Sequence, residues 1–294
     1  MKYHWMYATQ KREENFEADN LAGKISIQPS KIENIELPKT IWIYWDGNTP
    51  ELVQRCIEVI QEKNQNFTVI QLNAKNVAEY CDAEYLNLSH VAPQHQADLI
   101  RLNLLYKYGG IWLDASTILN RDLNWIEHLM IDNKAELFSY YRSKNTTVPE
   151  FPVVENWLLA STKGNDFIKA WLDELMYANQ VGAKNYIQEI KENDADHTSI
   201  FQRIGNLEYL YAYVACQKVM RKHLPSLVAL DCDQNALMYQ VRNKWVKEKI
   251  LIDLAINYRP KTEPYLIKLA RKERNYLCKY YAQRKFLDQS FLDF

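Results

Sequence analysis

Residues 96–116 constrain the fold of this chain more than any other stretch. An apolar segment that carries Asp98 and Arg101 is followed by two adjacent glycines, a short apolar run and then Asp114. Asp98 and Arg101 are three residues apart, so a helix places both on one face of an otherwise apolar surface. The pair Gly109-Gly110 is typical of a helix C-terminus, where glycine adopts the left-handed backbone without a steric penalty. The stretch therefore predicts a buried helix, a turn, and a strand that ends at a carboxylate.

The segments around this stretch predict an α/β fold. Residues 40–45 and 67–72 are rich in β-branched and aromatic residues, which favours strands, and residues 50–63 have apolar side chains at helical spacing. Strands that alternate with helices indicate a parallel sheet covered by helices, and ligands bind at the carboxyl ends of its strands. Asp114 is expected at such an end. Further strands are predicted at residues 111–113, 137–141 and 153–160, and further helices at residues 73–80 and 165–177.

The whole chain of 294 residues divides into three predicted parts. Residues 1–36 form an N-terminal arm or helix, residues 37–184 form the α/β core, and residues 185–294 form a mostly helical region packed on that core. Three segments of the last part have helical spacing, at residues 199–223, 235–255 and 264–281.

Composition and charge argue against several classes of function. The formal net charge of −1 gives no electrostatic argument for a nucleic-acid partner. The five cysteines have no zinc-binding spacing, which predicts reduced thiols in a cytoplasmic protein. No signal peptide or membrane-spanning run is recognisable, so we expect neither secretion by that route nor a transmembrane helix. Residues 259–285 contain nine basic and two acidic residues, which suits either peripheral contact with an anionic membrane or a helix that caps the core.

Four blocks of sequence in the first 120 residues resemble the capsular polysaccharide synthesis glycosyltransferases. This family is related to the sugar transferases that carry an Asp-x-Asp (DXD) motif and to the clostridial glucosylating toxins. The resemblance implies a GT-A fold, in which a Rossmann-like sheet binds a nucleotide-sugar at its carboxyl edge. The blocks are residues 37–47, 69–73, 97–101 and 108–116.

The resemblance also implies roles for individual residues. Trp45 matches the aromatic residue that stacks on the base of the donor, and stacking contributes about 1–3 kcal/mol per base. Asp98 and Arg101 match the pair that contacts the ribose and the transferred sugar, and Asp114 matches the first carboxylate of DXD. These residue types suit the chemistry, because a carboxylate accepts hydrogen bonds from two hydroxyls and arginine donates several from a rigid fork. Asp98, Arg101 and Asp114 are therefore the expected catalytic residues.

Two positions depart from the family pattern and concern a divalent metal. Ser116 stands where the second DXD carboxylate is expected, and Ile267 stands where relatives often have a histidine. A hydroxyl is a weaker ligand than a carboxylate for Mg²⁺ or Mn²⁺. Either Asp114 and water hold the metal, or basic side chains neutralise the diphosphate in its place. The alternative for those basic side chains is that they form only a solvated helix face. The candidates for the second route are Lys268, Arg271, Lys272 and Arg274.

The expected function is transfer of a sugar, with a UDP-sugar favoured as the donor, to a capsular or lipopolysaccharide glycan or a lipid-linked oligosaccharide. The family implies retention of the anomeric configuration. From the cysteines and the basic segment 259–285 we expect a location in the cytoplasm, at the inner face of the cell membrane. A phosphosugar transferase and a non-catalytic sugar-binding or scaffolding relative are the alternatives. The cluster Asp194, Asp196 and His197 is either a metal or acceptor site or a set of helix caps.

Overall fold

Among the described residues, seven strands form a mixed sheet at the centre of the fold. The computed structural model describes residues 2–28, 30–86 and 92–294. The strands are β1 Ile25–Ile27, β2 Thr40–Tyr44, β3 Thr68–Leu72, β4 Gly110–Leu113, β5 Thr117–Leu119, β6 Leu137–Tyr141, β7 Val154–Ser161, β8 Leu227–Asp231 and β9 Leu266–Lys268. Their order across the sheet is β1-β8-β6-β7-β4-β2-β3, and β5 pairs with β9 in a separate two-stranded sheet. β2 runs parallel to β3 and β4, whereas β7 runs antiparallel to β4 and β6.

Helices pack on both faces of the large sheet. The described helices are α1 Lys2–Thr9, α2 Glu51–Lys63, α3 Pro93–Tyr108, α4 Asn124–Asp132, α5 Asp166–Val181, α6 Ala183–Asn193, α7 His197–Phe201, α8 Tyr211–Lys222, α9 Met238–Arg242, α10 Lys247–Ala255 and α11 Arg271–Tyr281. Of these, α1, α10 and α11 pack in a separate cluster with the small sheet. The predicted short helix at residues 73–80 is reduced to one 3₁₀ turn, Val77–Glu79. No described helix is both long enough and apolar enough to span a bilayer.

The alternation of side chains along β2 shows why this sequence forms a sheet buried on both faces. Ile41 and Ile43 pack with the apolar side of α2 on one face. Trp42 points to the other face, where it packs with apolar residues of α3 and α5. Successive strand residues point to opposite faces, so a strand covered on both sides needs a continuous apolar run. The predicted α/β fold class is confirmed.

The glycine pair after α3 is required by close approach as well as by backbone conformation. Gly109 and Gly110 have φ of +68° and +93°. A Cβ atom on Gly110 would lie 2.4 Å from the carbonyl oxygen of Thr40, on the neighbouring strand. Glycine adopts positive φ readily and leaves room for the adjacent backbone. The pair therefore lets α3 pass directly into β4, which ends at Asp114.

The C-terminal third contains strands that the sequence analysis does not predict. Residues 264–281 are predicted as one helix, and this is wrong for the first part, because Leu266–Lys268 form β9 and pair with β5. The predicted helices over residues 199–223 and 235–255 are each broken into two, and β8 joins the large sheet parallel to β6. β8 is a fully buried run of five residues, and a run of that length fits a buried helix as well as a strand.

Candidate active site

A cavity of about 820 Å³ opens at the carboxyl ends of β2 and β4. Trp45 follows β2 directly and Asp114 follows β4, so the parallel pairing of these strands brings both residues to one edge of the sheet. Asp98 and Arg101 reach the same cavity from α3. Ser116 and Lys268 line the cavity with them, so the structure brings together all six residues predicted to bind the donor.

Arg101 links the two acidic side chains of the site. Its Nη1 donates to Oδ1 of Asp98, and its Nη2 lies 3.2 Å from Oδ1 of Asp114. The Arg101 residue is only 5% exposed, and its guanidinium carbon lies 4.8 Å from the centre of the Trp112 ring. A guanidinium that is held by two carboxylates and an aromatic face has little freedom to move. The predicted Asp98–Arg101 pair is therefore a fixed part of the cavity wall.

Asp114 is held by positive and polar groups on both of its oxygens. Oδ2 lies 2.6 Å from Nζ of Lys268, and Oδ1 accepts a hydrogen bond of 3.1 Å from Nε1 of Trp112. Burial acts to raise the pKa of the Asp114 carboxyl, but the charges of Lys268 and Arg101 outweigh it and lower that pKa below its ordinary value. Asp114 is a carboxylate at neutral pH.

The register of the small sheet explains how Lys268 reaches Asp114. β5 begins at Thr117, three residues after Asp114, and Thr117 pairs with Lys268 of β9. Neighbouring residues of a strand point to opposite sides. Lys268 accordingly faces the cavity, while Ile267 is fully buried in the core. Ile267, which stands where relatives often have a histidine, therefore does not line the cavity, whereas the adjacent Lys268 does.

Ser116 is surrounded by donors. Its hydroxyl donates to the carbonyl oxygen of Leu269 at 3.2 Å. Nζ of Lys268 lies 3.5 Å from Ser116 Oγ, and Nη1 of Arg274 lies 3.4 Å from it. The hydroxyl oxygen thus serves as an acceptor for two cationic side chains.

These contacts bear directly on a divalent metal. Mg²⁺ and Mn²⁺ prefer several carboxylate or carbonyl oxygens, and DXD supplies two carboxylates. Here Asp114 is the only acid of the motif, and two cations and an indole already contact its oxygens. No group of three or more His, Cys, Asp or Glu side chains with metal-binding geometry occurs within residues 2–28, 30–86 and 92–294. The side chains present do not fit a DXD-type metal site.

Trp45 lies at the rim of the cavity, where a nucleotide base could stack. The guanidinium carbon of Arg274 is 5.0 Å from the centre of the Trp45 ring. Arg274 lies in the first turn of α11. Arg271, at the start of the same helix, also lines the cavity. Lys272 is exposed and does not line the cavity. Of the four basic candidates from the sequence, three therefore face the site.

β7 and α8 bring to the cavity polar residues that the sequence analysis does not single out. Nδ2 of Asn156 donates to Oδ1 of Asp98 at 2.9 Å, and the hydroxyl of Tyr213 donates to Oε2 of Glu155 at 2.9 Å. Burial raises the pKa of Glu155. Glu155 and Asn156 are two consecutive polar residues inside the apolar run that forms β7, and this pattern could have identified them as candidate site residues. Nothing in the sequence distinguishes Tyr213 in this way.

The cluster Asp194, Asp196 and His197 does not take part in this site. None of its members lines the cavity. The Asp194 side chain accepts from the backbone N–H of Asp196, and the His197 ring is 3.0 Å from the Asp194 carbonyl oxygen. These bonds form a local turn before α7, and Asp196, at the N-cap of α7, makes no side-chain capping hydrogen bond.

Several curated relatives and solved structures are similar to this chain. It is 33% identical over 155 residues to O-glycosyltransferase braB of Annulohypoxylon truncatum, covering 46% of this chain and 36% of that protein. It is 29% identical over 150 residues to glycosyltransferase afumC of Aspergillus fumigatus, covering 45% and 38%. The ligand-free glycosyltransferase domain from the YGT toxin is similar at a TM-score of 0.43 and 10% identity, over 85% of this chain and 90% of that domain.

The chain spans little more than a third of the length of these two curated relatives. The family described as capsular polysaccharide synthesis protein matches residues 7–190. That match covers more than half of the 294 residues, so the chain belongs to the capsular polysaccharide synthesis family.

Proposed function

We propose that this protein is a glycosyltransferase of the GT-A type, which moves a sugar from a nucleotide-sugar to a glycan acceptor. One observation carries the proposal: Arg101 joins Asp98 to Asp114 at the carboxyl edge of the parallel strands, beside Trp45. The cavity of about 820 Å³ lies within the usual range of roughly 300–1,000 Å³ for ligand sites. The names of the curated relatives agree with this activity.

Each part of a nucleotide-sugar has a suitable counterpart in the cavity. The base stacks on Trp45, and a UDP-sugar is the first candidate by family resemblance. The hydroxyls of the ribose and of the sugar bond to Asp98, whose Oδ1 is oriented by Arg101 and Asn156. Lys268 and Arg274 line the same cavity, and we assign to them the diphosphate that joins base and sugar.

The transfer exchanges one bond at the anomeric carbon of the sugar. The bond between that carbon and the diphosphate oxygen breaks, and its electron pair leaves with the oxygen. The acceptor hydroxyl oxygen forms the new bond, and its proton passes to the leaving diphosphate. Fixed positive charges beside the leaving oxygen stabilise the charge that develops there. Attack from the same face as the leaving group gives the retention that the family implies.

The acceptor in this proposal is a capsular or lipopolysaccharide glycan, in agreement with the family description. A lipid-linked acceptor would bring the enzyme to the inner face of the cell membrane, and Lys261, Lys272 and Lys279 are exposed basic side chains that could contact anionic lipid. Sedimentation with vesicles containing phosphatidylglycerol should recover the protein, and equal recovery with neutral vesicles would contradict this part of the proposal.

A donor panel tests the function. Purified protein is incubated with UDP-, GDP- and dTDP-sugars, and the release of nucleotide is measured with wild type, Asp98→Asn and the exposed control Asp132→Asn. We expect a nucleoside diphosphate from one donor, loss of about 100-fold or more in Asp98→Asn, and a wild-type rate for the control. Release of a nucleoside monophosphate would identify a phosphosugar transferase instead. Sugar binding without any release would identify a non-catalytic relative. NMR of the linkage formed reports whether the anomeric configuration is retained.

A further inference from the structure

We infer that the diphosphate of the donor is bound without a divalent metal, because the ammonium of Lys268 and the guanidinium of Arg274 occupy the region where a metal would act. This inference rests on the proposed function, since it concerns the diphosphate of the same nucleotide-sugar. Its first support is the state of Asp114. Lys268 contacts one carboxylate oxygen at 2.6 Å, and Arg101 contacts the other at 3.2 Å.

The surroundings of Ser116 disfavour a second cation. Nζ of Lys268 and Nη1 of Arg274 lie 3.5 Å and 3.4 Å from Ser116 Oγ. A divalent ion bound between Asp114 and Ser116 would lie within a few ångströms of these two positive groups, and like charges at such distances repel. The same two groups attract an anion.

Lys268 is fixed in place and has a donor to spare. The residue is 8% exposed, and its main chain is held by the pairing of β9 with β5 and by a bond from its N–H to Ala236 O. An ammonium has three N–H donors. Asp114 and Ser116 accept two of them, and within the described part of the chain nothing accepts the third. Since Lys268 lines the cavity, a phosphate oxygen can accept it.

Arg274 supplies a second donor group for the diphosphate. No described carboxylate forms an ion pair with it, although its guanidinium is partly buried. Burial lowers the pKa of Arg274, but an arginine remains charged at neutral pH. It lies between Ser116 and the Trp45 ring. A diphosphate lies between the base and the sugar of the donor, so this guanidinium is placed to contact it.

Titration calorimetry with UDP, GDP and dTDP, the diphosphates of the donor panel, tests the inference on wild-type protein, in EDTA and in MnCl₂. We expect the best of the three nucleotides to bind in EDTA with an affinity within about threefold of that in Mn²⁺. Electron paramagnetic resonance of Mn²⁺ should show no protein-dependent loss of the free-ion signal in the absence of nucleotide. Binding that requires Mn²⁺ would overturn the inference and leave the proposed function intact. Failure of all three nucleotides to bind in either condition would refute the proposed donor site itself.

Variants separate the diphosphate contact from folding. Lys268→Met and Arg274→Gln should each weaken binding of the diphosphate by about tenfold or more, with no restoration by Mn²⁺. The binding of the matching nucleoside, followed by ligand-observed NMR, should change less than about twofold because it has no phosphate. Lys191→Met, which changes an exposed lysine of α6 that does not line the cavity, is the control. Arg274→Gln removes no ion pair of the described residues, so it remains informative if Lys268→Met does not fold. Equal losses for nucleoside and diphosphate would overturn the inference.

Discussion

Replacing Asp114 by asparagine should destabilise the protein by a predictable amount. The change keeps the shape of the side chain but leaves Lys268 and Arg101 without their shared negative partner. A hydrogen bond to a charged group contributes about 1.5–3 kcal/mol, and the loss of one partner leaves the other unsatisfied. Asp114 has 30% of its side chain exposed, so water screens part of the loss and we expect about 2 kcal/mol. For a chain of 294 residues, that lowers Tm by roughly 3 °C.

The pH dependence of this difference tests the physical cause. The pKa of Asp114 is lowered in the folded state, since the charges of Lys268 and Arg101 outweigh the effect of burial. A carboxyl of this kind stabilises the fold fully above its unfolded pKa of about 3.9. The stabilisation is lost as pH falls through the lower, folded value. Urea unfolding should therefore give a constant difference between wild type and Asp114→Asn from about pH 8 to pH 5, and a shrinking difference below about pH 4.

A double-mutant cycle identifies the partner. Lys268→Met in the Asp114→Asn background should cost less than in wild type, by a coupling free energy of about 1–2 kcal/mol. A difference that already shrinks between about pH 8 and pH 5 would show that the folded pKa of Asp114 is not lowered. Additive effects of the two substitutions would show that Lys268 does not stabilise the carboxylate. Either result would refute the electrostatic account of this site.

Three further substitutions test other parts of the structure. Trp45→Ala should weaken nucleotide binding by about 1–3 kcal/mol, measured by calorimetry, whereas Trp45→Phe should retain most of the affinity because a ring still stacks. An unchanged affinity in the alanine variant would show that Trp45 does not bind the base. Gly110→Ala should lower the free energy of unfolding, measured in urea, by roughly 2 kcal/mol or more. The reason is that the new Cβ would lie 2.4 Å from the carbonyl oxygen of Thr40 and that φ is +93°. Wild-type stability of this variant would contradict the close approach. Tyr213→Phe should raise the pKa of Glu155, which burial already raises, because the hydroxyl bond that favours the carboxylate is lost. An unchanged pKa, measured by NMR of ¹³C-labelled glutamate, would show that this bond is absent.

The sequence predicts the parts of the site that depend on local structure. Asp98 and Arg101 share a helix face because they are three residues apart, and Asp114 lies at a strand end because a glycine pair and an apolar run precede it. Periodicity and turn chemistry are properties of short segments. These features, together with the α/β class, are accordingly visible without the structure.

The contact between Lys268 and Asp114 could not be predicted in the same way. It depends on the register of β5 against β9, which are far apart in the chain, and a shift of one residue would exchange Lys268 for Ile267. The short strands β1 and β8 were missed for a related reason, since their pairing is decided by distant partners. Tyr213 reaches Glu155 through packing of α8 on β7, and neither segment encodes that contact alone.

The pairing of β5 with β9 has a consequence for the order in which the site is completed during synthesis. Asp114 and Lys268 are 154 residues apart in the chain, whereas Arg101 is only 13 residues from Asp114. At roughly 5–20 residues per second, a ribosome needs about 8–30 s to progress from one partner to the other. A nascent or prematurely terminated chain that ends before β9 thus contains Asp98, Arg101 and Asp114 but lacks the lysine to which we assign the diphosphate contact. Under the proposed function, full affinity for the donor diphosphate is consequently expected only of chains whose synthesis has passed β9.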